Sequence, residues 1–284
     1  MVVYKYCASG NDFLIFHSFV KKNYQQLAQA LCNRFSGIGA DGLVVLLPNE
    51  HYAYEWDFYN ADGSYASMCG NASRCVAHYA YSLGLAPKAH SFLSGAGEIR
   101  VNVEGLIVSS NLGAYKALES IGQIQEDDMQ RQWYFVDTGV PHLVCFVESS
   151  SHIPTQKTKL MKTLRERYNA NVNFAYKIDS QTLQVCTYER GVEDITLACG
   201  TGMAASGVIG NRFFELEQNL KVIPPSREAV EISIKDNDKH TSNGKDNSSD
   251  DKNKGCEVYL KGAIMLVGIC QVADVFDKYL RLDS

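Results

Sequence analysis

The sequence predicts a mixed α/β chain built from two copies of one fold. Three observations predict it. Strand-like and helix-like runs alternate along the chain, a set of short landmarks recurs at a nearly constant offset, and 284 residues of 45% hydrophobic composition can bury two cores of ordinary size, since domains commonly run to about 100–150 residues.

In chain order, Phe13–Phe16 and Gly42–Leu47 are apolar runs bounded by Gly, Pro or polar residues and read as strands, with a helix over Asn23–Arg34 between them. A second helix is expected over Asn71–Leu83. Leu143–Val147 resumes the strand pattern, followed by helices over Lys157–Tyr168 and Thr201–Phe214 and a strand-like run at Ala263–Ile269. The landmarks recur in the same order. Ser9-Gly10-Asn11 and Thr138-Gly139-Val140 lie 129 positions apart, as do Tyr59-Asn60 and Tyr188-Glu189, while Cys69-Gly70-Asn71 and Cys199-Gly200-Thr201 lie 130 apart. The two lobes are expected at 1–115, completed by 270–284, and at 116–269. Between Lys235 and Gly255 there is no large apolar residue, so the segment cannot offset the entropy of ordering itself. Strand-like Val230–Ile234 precedes it and Glu257–Leu260 follows, which makes it an enlarged, solvated hairpin connection and not a domain boundary.

The bulk numbers exclude several function classes. A net charge of −5 and a pI near 5.8, with the basic residues scattered, offer nucleic acid no basic face. The opening residues MVVYKYCASGND carry no basic segment followed by an apolar run, and no stretch approaches the roughly 18 apolar residues of a membrane span. A cytoplasmic protein without a membrane partner is expected. Nine cysteines, odd in number and spaced neither as a disulfide framework nor as paired CxxC zinc clusters, should be reduced and hold no metal. Cys7, Cys32, Cys75, Cys145, Cys186, Cys256 and Cys270 read as small buried hydrophobes.

Cys69 and Cys199 differ in context. Each precedes Gly and a polar residue and then a helical stretch, so each thiol should sit at a helix N-terminus, where unpaired N–H groups and the helix dipole can bring a thiol pKa from about 8.5 to between roughly 3.5 and 7.5. One such Cys is as well explained by packing; two at equivalent points of a duplicated chain are not. If the halves face each other, the thiols enter one cleft from opposite sides, which suits stereoinversion: one base removes a proton from one face of a carbon and one acid returns a proton to the other. The N–H groups of Gly70, Asn71, Gly200 and Thr201 are placed to hold the α-carboxylate onto which charge spreads as the proton leaves.

FYNADGSYASMCGNASRC (Phe58–Cys75) and YERGVEDITLACGTGMAA (Tyr188–Ala205) resemble the two signature segments of the diaminopimelate epimerase family. SGNDF at Ser9, GIGADG at Gly37, TGVPH at Thr138 and NVNF at Asn171 are similar to its remaining landmarks, in family order, so the resemblance spans nearly the whole chain. It implies two similar α/β lobes, each with strands wrapped round a central helix, and a homodimer. It also implies catalysis without pyridoxal phosphate, metal or any other cofactor. The implied reaction interconverts LL- and meso-diaminopimelate on the route to lysine and cell-wall precursors. Carried across by motif, Cys69 and Cys199 match the catalytic acid and base, with Cys69 acting on the LL isomer and Cys199 on the meso isomer. Asn11, Asn60, Asn173 and Arg190 match residues that hold the small-molecule substrate, and Glu189 and His142 match polar residues near the reacting centre. Arg190 can grip a carboxylate as a bidentate fork, and Glu189 can accept from an ammonium group.

Two positions depart from some members of the family: Val140 stands where an Asn often binds the distal carboxylate, and Gly42 stands where some members have Gln. The nearest rival is a two-thiol isomerase of the proline racemase or hydroxyproline epimerase type, against which stand Asn71, the NADGS segment and the Glu189-Arg190 pair, suited to the charged far end of a diamino diacid. A thiol protein that senses redox state or binds metal is the rival from another class.

Overall fold

The chain opens on a hairpin. Strands β1 (Val2–Ala8) and β2 (Asn11–His17) pair antiparallel up to Ala8 opposite Asn11. Ser9 and Gly10 between them take positive φ, 53° and 86°, as a two-residue turn must if its twist is to match the strands. The computed structural model of the chain describes residues 1–126, 129–236 and 256–279, in two compact units, Met1–Ser110 with Gly262–Ser284 and Asn111–Lys261.

After the hairpin the first unit runs α1 (Gln25–Cys32), β3 (Gly42–Leu47), β4 (Glu55–Asn60), α2 (Gly70–Ser82), β5 (Ala89–Ser94), β6 (Gly97–Glu104) and β7 (Ile107–Ala114). The second runs β8 (Lys116–Glu126), β9 (Met129–Asp137), β10 (Pro141–Phe146), α3 (Lys159–Tyr168), β11 (Asn171–Lys177), β12 (Thr182–Glu189), β13 (Asp194–Ile195), α4 (Gly200–Phe213), β14 (Asn219–Ile223), β15 (Val230–Asp236) and β16 (Cys256–Ala263); β17 (Met265–Gln271) belongs to the first unit. The run expected as one strand at Ala263–Ile269 is thus broken at Ile264, whose N–H turns aside to the carbonyl of Leu106.

The two units share one topology. Strands pair in the order β17, β1, β2, β3, β4, β5, β6, β7 in the first and β8, β9, β10, β11, β12, β14, β15, β16 in the second. The sequence of parallel and antiparallel pairings is the same in both. Even the register repeats: Phe13 lies opposite Gly42 as His142 lies opposite Asn171, and Leu43 opposite Tyr59 as Val172 opposite Tyr188, every member displaced by 129.

Each unit wraps its strands round one buried helix. In the first, Ala72, Cys75, Val76, Ala77 and Ala80 of α2 meet Phe13, Ile15, Val44, Trp56, Phe58 and Phe92. The other face of the same strands, Leu14, Phe16, Leu43 and Val45, packs on Leu27, Ala28 and Leu31 of α1. Burial on both faces explains why β2 and β3 read as continuous apolar runs and not as alternation. In the second unit α4 is the inner helix, buried from Gly200 to Gly210, and α3 lies outside with Met161 and Leu164 against Leu143, Val172 and Phe174. Strands β15 and β16 form an antiparallel pair out to Asp236 opposite Cys256. The polar connection expected at Lys235–Gly255 lies, beyond those strand ends, outside the described residues. Among the described residues no helix is long and apolar enough to cross a membrane.

Candidate active site

Cys69 is the N-cap of α2, in extended conformation, and its Sγ accepts the N–H of Ala72 at 3.5 Å. The helix starts at Gly70, one residue before the expected start, so the thiol is itself the cap. By helix geometry the N–H groups of the first turn, from Gly70 on, point out of the helix start. Asn71 is buried and donates through Nδ2 to Oδ1 of Asn11 at 2.6 Å, while its own Oδ1 accepts from Nη2 of Arg74 at 3.0 Å. Arg74 reaches on to the hydroxyl of Ser9 in the first turn.

The other end of Asn11 is held by charge. Its Nδ2 donates to Oδ2 of Asp41 at 3.1 Å. Arg34 forms a fork on Asp12, at 3.0 and 2.8 Å, and also meets Asp41 at 2.8 Å; Lys5 lies 3.1 Å from Asp12. Burial alone would push the Asp12 carboxyl up, but Arg34 and Lys5 outweigh it and hold it below the usual range. Asn60 ends β4, exposed, with its Nδ2 on the Ser64 hydroxyl. A Cβ at Gly42 would lie 2.8 Å from the carbonyl oxygen of Tyr59 and 2.6 Å from the Phe58 ring, which is why no side chain stands there.

In the second unit Cys199 caps α4, buried, with Sγ 3.6 Å from the hydroxyl of Thr201. The carbonyl of Thr201 accepts from the Thr138 hydroxyl at 3.0 Å, tying the first turn of α4 to the TGVPH turn. A Cβ at Gly202 would lie 2.5 Å from Oδ1 of Asn173 and 2.7 Å from Oγ1 of Thr187, so glycine lets β11 and β12 press against the helix start.

Below Gly202 lies a buried polar network. Thr187 donates to Oδ1 of Asn173 at 2.7 Å, and Nδ2 of Asn173 donates to the Leu143 carbonyl at 2.8 Å and to Nδ1 of His142 at 3.1 Å. Nε2 of His142 lies 3.4 Å from Nδ2 of Asn171. Burial, with the Arg190 charge nearby, pushes the imidazole pKa down to about 3, so His142 is neutral at physiological pH and accepts through Nδ1. Oδ1 of Asn171 takes the backbone N–H of Arg190 at 2.7 Å, and Nη1 of Arg190 donates to the carbonyl of Asn169 at 3.0 Å. Glu189 ends β12 opposite Asp194.

The expected residues thus gather as Cys69, Gly70, Asn71 and Asn11 in one unit and Cys199, Gly200, Thr201, His142, Asn173, Glu189 and Arg190 in the other, with Asn60 at the repeat position of Glu189. Asn173 is fully buried and supports the start of α4. Asn171, at the strand end beside Arg190, was not singled out; its place opposite His142, displaced by 129 from Gly42 opposite Phe13, was the available signal. The charged cluster around Asp12 and Asp41 was also missed, although GIGADG contains Asp41. Three other cysteines cannot supply thiolate near neutrality: burial pushes Cys32 and Cys186 up to about 12 and Cys75 higher still. Among the described residues no cluster of three or more His, Cys, Asp or Glu side chains could hold a metal ion. Two thiols capping equivalent helices can each act as a one-proton acid or base beside N–H groups that stabilise a carboxylate.

The diaminopimelate epimerase family model matches residues 3–118 and 134–248. A diaminopimelate epimerase of Helicobacter pylori is 43% identical, over 98% of this chain and 99% of that protein. One of a Nitratiruptor species is 51% identical, over 82% and 90%. The crystal structure of a hydroxyproline epimerase from Agrobacterium vitis, with trans-4-hydroxy-L-proline bound, matches with a TM-score of 0.71 at 14% identity, over 96% of this chain and 92% of that one. At that identity the likeness shows a shared fold alone.

Proposed function

The chain belongs to the diaminopimelate epimerase family, and from that membership we propose that it interconverts LL- and meso-diaminopimelate by passing an α-proton between Cys69 and Cys199, in lysine and cell-wall precursor synthesis. The observation that carries the mechanism is that the two thiols occupy one position of a repeated fold, each capping the helix round which its unit is wound. The thiolate of one takes the α-proton from one face of the carbon. The electron pair left behind spreads into the α-carboxylate, where the N–H groups of Gly70, Asn71, Gly200 and Thr201 stabilise it. The thiol of the other then delivers its proton to the opposite face. The reverse reaction exchanges the roles, and no cofactor enters the route.

The distal end of the substrate falls to Arg190, whose guanidinium suits a carboxylate, with Asn171 beside it in the same unit, while Asn60 supplies an amide and Glu189 a carboxylate suited to an ammonium group. Asn11 orients Asn71 on the Cys69 side. Asn173 and His142 act from beneath: Asn173, engaged by His142 and Thr187, lies against the start of α4, and the neutral imidazole is a hydrogen-bond support and not the base that ionises a thiol. Val140 stands at the repeat position of Asn11, and its side chain offers the substrate no polar group. The protein works in the cytoplasm, as a homodimer.

The direct test is turnover of LL-diaminopimelate. Cys69→Ala and Cys199→Ala should each remain folded and lose at least about 10²- to 10⁴-fold in rate, the usual worth of a positioned acid or base. Full activity in either variant refutes the two-thiol mechanism. Early product formed in deuterated water should carry solvent deuterium at the inverted carbon, and turnover of proline in place of diaminopimelate overturns the substrate assignment.

A further inference from the structure

The turn that presents Glu189 and Arg190 is held by a residue the mechanism does not use. Residues 190–193 join β12 to β13, closed by Glu189 opposite Asp194. Tyr188 and Cys199 are 11 positions apart, whereas Tyr59 and Cys69 in the first unit are 10 apart, so the extra residue of the second unit falls in this segment. Glu193 absorbs the strain of the turn, with a φ of 58°, a conformation costly to any residue but glycine.

Every polar group of Glu193 is engaged. Its N–H donates to the Glu189 carbonyl at 2.8 Å. Its Oε1 accepts from the N–H of Gly191 at 3.1 Å and from Nη2 of Arg165 at 2.6 Å, and its Oε2 from the Tyr188 hydroxyl at 3.1 Å. Its carbonyl lies 3.4 Å from Nζ of Lys157. Arg165 stands on α3, and the carbonyl of Asn169, which caps the end of α3, receives the Arg190 guanidinium. One helix therefore grips both ends of the turn, while the tip, Gly191 and Val192, is exposed. Burial opposes ionisation of Glu193, but its three donors outweigh burial and hold the carboxyl below its usual range.

We infer that Glu193, gripped by Arg165 and Tyr188, is a positioning residue that sets the Arg190 guanidinium for the distal carboxylate of the substrate. The inference rests on the reading of Arg190 given above. A left-handed residue whose carboxylate closes on Gly191 of its own turn fixes the backbone on the C-terminal side of Arg190, as Asn171 fixes it on the N-terminal side. Without the carboxylate the turn keeps its strand pairing and the Arg190 bond to Asn169 but loses its Arg165 link to α3 and its closure on Gly191, so the backbone after Arg190 is no longer fixed and the guanidinium must be ordered in part by the substrate.

The experiment compares steady-state epimerisation of LL-diaminopimelate by wild type, Arg190→Ala, Glu193→Ala, Glu193→Gln, Glu193→Gly and the double variant Arg190→Ala with Glu193→Ala. Glu193→Ala should raise KM about tenfold and leave kcat within about threefold, the pattern of lost ground-state binding. Glu193→Gln, which keeps one acceptor oxygen for the Gly191 N–H but loses the second oxygen and the charge that Arg165 meets, should recover about half of that loss on a logarithmic scale. In the Arg190→Ala background Glu193→Ala should change kcat/KM by less than about twofold, because coupled residues are not additive. Glycine accepts a φ of 58° without strain, so Glu193→Gly secures a folded protein lacking the same three contacts and must show the same rise in KM. An unchanged KM in folded Glu193→Gly overturns the inference, as does an undiminished effect of Glu193→Ala in the Arg190→Ala background. If Arg190→Ala itself leaves KM unchanged, the reading of Arg190 falls and the inference falls with it; if Arg190→Ala raises KM and the Glu193 variants do not, the inference alone falls.

Discussion

Replacing His142 with Asn isolates the energetics of the buried network beneath Gly202. The imidazole is fully buried with its pKa pushed down to about 3, whereas an unfolded chain binds the same proton near about 6.5. The sign follows. Between those values the unfolded chain takes up a proton that the folded chain refuses, so stability falls as pH drops below the unfolded pKa. For one such group the loss is about 0.2 kcal/mol at pH 7, about 0.8 kcal/mol at pH 6 and about 2 kcal/mol at pH 5. Asn at 142 keeps an acceptor near the place of Nδ1 for Asn173 but does not titrate. The variant starts less stable at pH 7, because the lost ring atoms leave a cavity, and its deficit should shrink by about 2 kcal/mol on going to pH 5. Urea unfolding at the two pH values measures this, followed by the fluorescence of Trp133, which is buried in the same unit, after replacing Trp56 of the other unit with Phe. A deficit that stays constant from pH 7 to pH 5 would mean that the imidazole titrates alike in folded and unfolded chains, and the burial argument would be refuted.

Two further outcomes test the supports of the thiols. Gly202→Ala places a Cβ 2.5 Å from Oδ1 of Asn173 and 2.7 Å from Oγ1 of Thr187, both held by hydrogen bonds, and should cost about 1–3 kcal/mol; Gly207→Ala, whose Cβ meets only side-chain carbons at 3.2 and 3.3 Å, should cost clearly less in the same urea titration. Arg34→Ala removes the fork on Asp12, whose folded pKa is held low, so the stabilisation it supplies is present above the unfolded value of about 3.9 and lost as pH falls through the folded value. Arg34 is 54% exposed, which limits the loss at pH 7 to about 1 kcal/mol, and acid titration followed by circular dichroism should show the two proteins converging as pH falls below the unfolded value of about 3.9.

The repeat was the part of the fold most plainly written in the chain, because an offset of 129 that survives in strand register must survive in the residues that set that register. The apolar strands were visible for a related reason: Phe13–Phe16 of β2 and all of β3 are buried on both faces, so the residues there form unbroken apolar runs. Strands β8 and β9 were not singled out. KALESIGQIQE and MQRQWYFVD carry polar residues on a solvated side, and β8 is interrupted by two irregularities in its pairing with β9, which break the alternation that would mark it. The inner helices were placed one residue late for a different reason. Glycine is a poor helix former, so Gly70 and Gly200 read as turn residues, although the demand for close approach, met at Gly202 by Asn173 and Thr187, outweighs intrinsic propensity there.

In the site the two cysteines stood out because sequence context repeats, whereas the choice between Asn171 and Asn173 could not be made from context. Residues two apart on a strand point to the same face, and both asparagines do meet the same imidazole, at its two nitrogens. What separates them is position along the strand. Asn173 lies within β11, where its whole side chain is consumed by Leu143, His142 and Thr187. Asn171 is the first residue of the strand, where the chain beside it has already turned and Arg190 comes within reach. Strand ends are set by register with neighbours, a long-range property that no window of sequence contains. The repeat does contain it: Gly42, the counterpart of Asn171, begins β3 opposite Phe13 as Asn171 begins β11 opposite His142. A polar pair such as Asn171 and His142 at the positions where the first unit carries Gly42 and Phe13 marks where the second unit departs from its copy, and the departure lies beside Arg190, the residue read as the carboxylate anchor.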